Sequence, residues 1–334
     1  MQRTEVIKLN KPVYITASAA VGSSKEKEGP LGDYFDITNS DIKFGKKTFE
    51  AGESEMQRLA LNTALKKANM HHKELNAIIA GDLLNQCTSS TYGLIEFDAP
   101  FIGLYGACST MSESLALGSV LIDGGQFSKV AAVTASHFCA AERQFRFPLE
   151  YGGQRSLTSQ WTATAAGAAV LSDAAADAPR ITEVLFGKII DKGMTDLMNM
   201  GAAMAPAAAD TMLKYFRETG ANPGDFDIIA TGDLGEEGKR ITENLLLSEG
   251  LDLCGKYNDC GLMLYDCEAQ DVHAGGSGCG CSAGVFCGYL MSRLMLGEYK
   301  NILLIGTGAL MSPGSVMQGN SIPGIAHLVH VQKI

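Results

Sequence analysis

Positive charge is in short supply: 27 Lys and Arg stand against 37 Asp and Glu, a net charge of −10. Nothing in the chain resembles a basic stripe, which excludes a nucleic-acid backbone as partner but leaves room for a local anion site. Aromatic residues are also scarce, at 7% with a single Trp. No apolar run reaches the ~18 residues needed to span a bilayer, so any role at a membrane must come through a partner. The nine cysteines lack the dense, even spacing of a disulfide scaffold. The opening string MQRTEVIKLN shows no apolar secretory segment. A cytosolic, reduced setting is expected, with most cysteines acting as small buried hydrophobes.

What is present is small and apolar. Hydrophobic residues make up 46% and Gly numbers 38 in 334 residues, enough for two ordinary domains or one large α/β unit. Short apolar runs (NAIIAGDLL, FIGLYGACS, KVAAVTAS, TAAGAAVLS, DIIATGDL, NILLIGTGAL) alternate with stretches of helical spacing such as Ser54 to Asn69 and Ile241 to Leu247. Buried strands alternating with helices predict an α/β protein with parallel or mixed sheets.

An internal repeat organises these segments. Ala80-Gly81-Asp82-Leu83, after the run Ala77–Ala80, recurs as Thr231-Gly232-Asp233-Leu234 after Asp227–Ala230. Ala107-Cys108-Ser109 opens a helix that leads to the strand Lys129–Val133, and Gly280-Cys281-Ser282 opens a helix that leads to Ile302–Ile305. The chain therefore divides into duplicated halves, residues 1–177 and 178–334, near Asp173–Pro179. That stretch is too short for a flexible linker, so the halves should pack together. Lys25 to Gly32 reads as a solvated charged loop.

Cys108 is the first candidate for chemistry. It lies between an apolar strand and a helix starting near Thr110, behind Gly106, which permits a tight turn. A thiol at a helix N-terminus is acidified by the dipole and free N–H groups. Spacing alone leaves two readings, a functional thiol and a buried structural one.

Duplicated halves with a cysteine elbow before a Gly/Ala-rich helix resemble the thiolase superfamily. Thr164–Leu171 is similar to the small-residue strand which that superfamily carries late in its first half. More narrowly, Ala80–Gln86, Gly106–Thr110, Ala141–Arg146, Glu150–Gln154, Met204–Thr211 and Ala274–Cys279 resemble the stage V sporulation AD family of spore-forming bacteria. The resemblance runs from about Tyr14 to His327. It implies a five-layer αβαβα fold and a protein that binds dipicolinic acid, with calcium as its chelate, and supports its uptake into the developing spore. It further implies a place peripheral to the inner membrane of the forming spore, beside membrane proteins of the same operon, and a homodimer.

The sequence departs from a working condensing enzyme of the superfamily. Where a His-containing loop is expected it reads Thr231-Gly232-Asp233, and where an Asn is expected it reads Gly275-Gly276-Ser277-Gly278. The missing groups are those that activate the thiol and hold the thioester oxygen. His273, two residues before that loop, reads as structural. Asp82 and Asp233 either face a shared crevice or cap the helices that follow them.

The segment Ser136 to Arg155 is the second candidate, with His137, Glu142, Arg143 and Arg146 in an aromatic, Gly-rich setting. A guanidinium fork suits a planar dicarboxylate. The same residues equally describe Arg–Glu pairs that pin a loop. The expected ligand crevice therefore comprises Asp82, Asn85, Cys108, His137, Glu142, Arg143, Arg146, Asp233, Gly276 and Ser277. No cofactor is expected. Cys260, Cys267, Cys279 and Cys281 match no zinc spacing, so no metal site is expected. The alternatives are an acyltransferase or condensing enzyme using Cys108 on a coenzyme A thioester, and a structural adaptor with a vestigial pocket.

Overall fold

The computed structural model describes residues 4–145, 155–175 and 177–333. The first half runs β1 (Ile7–Ser23), α1 (Ser24–Lys27), β2 (Ile37–Asn39), α2 (Phe49–Lys67), β3 (Ala77–Gly81), α3 (Thr88–Leu94), β4 (Phe101–Gly103), α4 (Thr110–Asp123), β5 (Lys129–Ser136), α5 (Phe138–Phe145), β6 (Trp161–Thr162) and β7 (Ala165–Ser172). The second half runs β8 (Arg180–Leu185), α6 (Met200–Thr219), β9 (Ile228–Thr231), α7 (Gly235–Ser248), β10 (Tyr257–Asp259), α8 (Cys260–Leu264), β11 (Gly276–Ser277), α9 (Cys279–Gly284), α10 (Met291–Met295), β12 (Asn301–Ala309), α11 (Pro313–Met317) and β13 (Gly324–Gln332). A π-helical turn, Val285–Leu290, carries α9 into α10.

The duplication reappears as strand order. The first half reads β4-β3-β5-β7-β1 and the second β10-β9-β12-β13-β8, position for position. In each half the first three strands are parallel and the fourth runs against them. β1 serves both halves: Tyr14 to Gly22 pairs with β7, while Ile7, Lys8, Val13 and Tyr14 pair with β8.

Side-chain alternation along the strands divides the interior into three apolar cores, because successive residues point to opposite faces. On β5, Val130 and Ala132 point to the central core, and Ala131, Val133 and Ala135 to an outer one. On β12, Ile302 and Leu304 point to the same central core, and Ile305 and Leu303 to the other outer one. Helix α2 covers the first outer face through Met56, Ala60, Leu61 and Ala64, and α6 covers the second through Met204, Ala208, Met212 and Tyr215. Between the half-sheets lie α4, with Met111 and Leu115, and the segment that follows α9, with Val285, Phe286 and Leu290. The result is the five-layer αβαβα thiolase arrangement.

Small residues make the central layer thin. A Cβ on Gly280 would lie 2.3 Å from the Ala165 carbonyl oxygen, and one on Gly167 would lie 2.6 Å from that of Ala283, so α9 and β7 touch backbone to backbone. Neither contact can relax through a flexible side chain. Gly280→Ala is expected to lower unfolding free energy by about 1–3 kcal/mol, measured by urea denaturation with the m-value unchanged.

Candidate functional site

The site grows from strand ends. In open α/β sheets a crevice forms outside the carboxyl ends of parallel strands, and here both half-sheets contribute. Asp82 follows β3, Cys108 follows β4, Asp233 follows β9, and Ala309 ends β12. Together with Ser277 on β11, all but Asp233 line one cavity of about 780 Å³. Thr162 on β6 completes this wall. It is held because β6 pairs with β11, and Trp161 is stacked on Phe138 at 3.8 Å with Lys25 over the ring at 4.3 Å.

Cys108 sits in a tight turn at the start of α4. Ala107 before it has a left-handed backbone (φ 51°), an uncommon conformation for a residue with a side chain. The turn is held by hydroxyls: Ser109 Oγ donates to the Gly106 carbonyl at 2.7 Å and Thr110 Oγ1 to that of Ala107 at 2.6 Å. Strand β12 presses on the turn from behind, for a Cβ on Gly308 would lie 2.3 Å from the Gly106 carbonyl. Cys108 itself is 7% exposed and lines the cavity.

Behind the thiol lies Asp233, fully buried. Its Oδ2 accepts from the Gly278 N–H at 2.8 Å and from Ser277 Oγ at 3.3 Å, and its Oδ1 from Thr307 Oγ1 at 2.9 Å. Burial pushes Asp233 up to about 6, against the opposing effect of these donors and of the Cys108 thiol. Burial, and next the charge of Asp233, push the Cys108 thiol well above its ordinary value. The α4 N-terminus acts in the other direction, but the first two effects win. At neutral pH the cavity therefore presents a protonated thiol. An ionised carboxylate donates no hydrogen bond, so Asp233 supplies neither the imidazole nor the oxyanion donor of a condensing enzyme.

Asp259 lies deeper and connects β10 to two helix starts. Its oxygens accept from the Thr231 hydroxyl (2.7 Å) and from the N–H groups of Leu234 (2.8 Å), Gly235 (3.0 Å) and Gly261 (3.0 Å). This residue, and not Asp233, performs the helix-capping role that the sequence offered for the second aspartate. Asp82 does serve the chain that follows it: Leu84 N–H, Ser90 N–H and Ser90 Oγ donate to its two oxygens at 2.8, 2.8 and 2.6 Å. It nonetheless also reaches the cavity.

Of the residues singled out from the sequence, Asp82, Asn85, Cys108, Glu142 and Ser277 line the cavity. Asp233 and Gly276 lie directly behind Ser277, both bonded into the same floor. His137 and Arg143 do not line it. His137 donates from Nε2 to the Ile42 carbonyl at 2.8 Å and accepts from the Cys139 N–H, pinning a surface loop. Arg143 pairs with Glu50 and covers the Phe49 ring. Glu142, the residue before it, turns inward, because adjacent residues of a helix such as α5 point in different directions. Arg146 lies outside the described residues. His273 bonds the Ser156 carbonyl at 2.7 Å and Asp271 at 3.1 Å, as a structural histidine does. Among the described residues no group of His, Cys, Asp and Glu is placed to hold a metal ion.

Sequence reasoning missed much of the wall: Gln86, Tyr105, Gln144, Met200 and the segment from Ala309 to Ser315. Met200 begins α6 and the last segment follows β12, both in the second half, and only packing brings them over Cys108. A signal existed for Gln86, since it belongs to the Ala80–Gln86 string.

Comparison with known proteins agrees with this architecture. A single-residue variant of OleA from Xanthomonas campestris superposes with a TM-score of 0.62 at 15% identity, covering 98% of this chain and 100% of that one. The 3-oxoacyl-[acyl-carrier-protein] synthase III from Aquifex aeolicus VF5 gives 0.58 at 13% identity, covering 96% and 99%. At such identities the likeness establishes the fold alone. The chain is also 41% identical over 316 residues to stage V sporulation protein AD of Bacillus subtilis (strain 168), spanning 95% of this chain and 93% of that protein. The family model of stage V sporulation protein AD (SpoVAD) matches residues 3–332, and the chain belongs to that family.

Proposed function

We propose that the protein binds dipicolinic acid as its calcium chelate in the cavity beside Cys108 and supports its uptake into the developing spore. One observation carries this reading. Among the described residues that line the cavity, the ionisable groups are Asp82, Glu142, Tyr105 and Cys108, and none is Lys or Arg. A bare dianion would meet the like charges of Asp82 and Glu142 there. A calcium chelate would not, because calcium takes 6–8 oxygen ligands and a planar pyridine dicarboxylate fills only part of that shell. Asp82, Glu142 and the Asn85 carboxamide bring oxygens to the cavity for the rest. The apolar wall, Leu84, Phe145 and Met311, suits the flat ring.

Calorimetric titration tests this reading directly. The chelate is expected to bind at least about tenfold more tightly than dipicolinate with a calcium chelator present, a difference of about 1.4 kcal/mol. Glu142→Gln should weaken it by a similar factor, and Cys108→Ala by less, since a thiol donates poorly. Equal affinity for chelate and free dianion would remove the cation from the account. No binding of either would remove the ligand.

In this reading the chain is a binder and not a condensing enzyme, although its relatives in fold include a named synthase. A thiol held protonated by burial, and next by the charge of a buried carboxylate, is a poor nucleophile. Alkylation of Cys108 by iodoacetamide should be slow and should climb with pH through 9, without a plateau. Asp233→Asn removes the neighbouring charge and should accelerate alkylation roughly tenfold at pH 8. Rapid transfer of an acyl group from acetyl-CoA to Cys108 in the wild-type chain would instead favour the acyltransferase alternative.

No helix among the described residues is long and apolar enough to cross a membrane. We propose that the chain acts peripherally, at the inner membrane of the forming spore, with membrane proteins of its operon forming the channel. We also propose a homodimer joined through β4. The sheet ends at β10 and β4. At β10, Tyr257 and Asp259 are buried, whereas beside β4 Tyr92, Ile95 and Tyr105 are 71%, 73% and 66% exposed and Phe101 is 43%. An open apolar edge is a liability that a second copy removes. Sedimentation should give twice the chain mass at micromolar concentration, and Phe101→Arg with Ile95→Glu should reduce it to one.

A further inference from the structure

Below Asp82, on the side away from the cavity, α2 faces α3 through polar groups buried without any exposed surface: Glu53, Gln57, Ser89 and Ser90. The hydrogen bonds form a fork. Gln57 Nε2 donates to Ser89 Oγ at 3.2 Å and to Ser90 Oγ at 3.0 Å. Ser89 Oγ donates onward to Glu53 Oε1 at 2.7 Å, and Ser90 Oγ to Asp82 Oδ2 at 2.6 Å. One carboxamide thus feeds two buried acids. Two atoms remain without partners, Glu53 Oε2 and Gln57 Oε1. Both are acceptors while Glu53 is ionised, and they belong to i and i+4 positions of one helix, which are neighbours on its surface.

We propose that Glu53 carries a proton at neutral pH and donates it to Gln57 Oε1, closing a ring through Ser89, so that Gln57 holds Asp82 in place through Ser90, with a neutral acid behind it. One proton satisfies both orphaned atoms while every hydrogen bond of the fork is kept, whereas a turned carboxamide beside a charged Glu53 would give up its donation to both serines. The hydrogen bonds divide the acids unequally: Asp82 receives two backbone N–H groups and a hydroxyl, Glu53 a single hydroxyl. Donors favour the charged form and a neighbouring like charge disfavours it. The titratable groups that face Glu53 are Asp82, Glu50 on its own helix and Cys279 on α9. Among the described residues no cation joins them, and burial followed by the Asp82 charge pushes Glu53 well above the usual carboxylate range. Burial raises Asp82 also, but its donors oppose this.

The sign of the linkage follows. An acid raised in the folded state contributes stability that is full below its unfolded value, about 4.5, and is lost as pH rises toward the folded one. Glu53→Gln copies the neutral acid, with an N–H in place of the O–H. The advantage of Glu53→Gln over wild type in melting temperature should therefore widen from pH 5 to pH 8. Parallel curves would overturn the proposal.

A second measurement needs no variant to read. In wild type labelled at the glutamate carboxyl carbon, NMR at pH 7 should show a carbon at the protonated-acid shift, unaffected by Glu113→Gln, which removes the second glutamate among the described residues that has a buried oxygen without a partner. If every glutamate carbon sits at the carboxylate shift, Glu53 is charged and the proposal fails. The consequence for the ligand rests on the function proposed above. Ser90→Ala cuts the branch to Asp82 and should weaken calcium dipicolinate roughly fivefold, whereas unchanged affinity would show that the fork does not position Asp82. If wild type binds no ligand while the protonated carbon is present, the ligand reading fails and the buried acid stands.

Discussion

The buried carboxylate of Asp233 ties together the elements that make the site. Its acceptors gather the end of β9, the β11 turn and β12 around one point, and Cys108 comes from the other half to meet it. A fully buried charge persists only where its donors are numerous and well placed. Moving Ser277, Gly278 or Thr307 would therefore leave an uncompensated ion in the interior. This constraint joins the halves at the cavity floor more specifically than apolar packing does. It also bears on the chemistry, since, after burial, the same charge is the next cause that keeps the facing thiol protonated.

Thin packing supplies the rest. The half-sheets approach the central helices at backbone distance because Gly167 and Gly280 carry no side chain and β7 is built largely from Ala, Gly and Val. The scarcity of aromatic residues thus has a structural use. With bulkier strands the two sets of strand ends would stand farther apart, and Asp82, Cys108 and Ser277 would not share a cavity. Beneath Asp82 the same economy places a polar fork where an apolar contact would suffice for stability alone. Such a network fixes one arrangement of the chain once its acceptors are satisfied.

The strands that the sequence revealed are those buried on both faces. Ala77–Gly81, Lys129–Ser136 and Asn301–Ala309 appear as unbroken apolar runs because helices cover them above and below. β1 was not legible: its largely exposed start is interrupted by Lys8, Asn10 and Lys11, and burial sets in only from Val13 onward. β8 and β13 carry Glu183, His327 and His330, whose partners lie on other elements, so neither reads as a plain strand. Helix boundaries shifted for a related reason. The helix read from Ser54 starts at Phe49, where the Thr48 hydroxyl caps it by accepting from Ala51, a local signal weaker than the apolar period.

By itself the sequence determined the duplicated α/β plan, the elbow at Cys108, and the lack of a His in Thr231-Gly232-Asp233 and of an Asn in Gly275-Gly276-Ser277-Gly278. Each of these depends on residue type and local order, which a linear string preserves. Only the tertiary structure decided that Arg143 turns outward to Glu50 while its neighbour Glu142 turns inward to Thr162. It alone brought Met200 and the segment after β12 over the thiol, and paired Gln57 with serines far along the chain, on another helix. The direction of a helical side chain, and the distance between groups far apart in the chain, depend on what packs against them. That information resides in the assembled layers, not in any one of their segments.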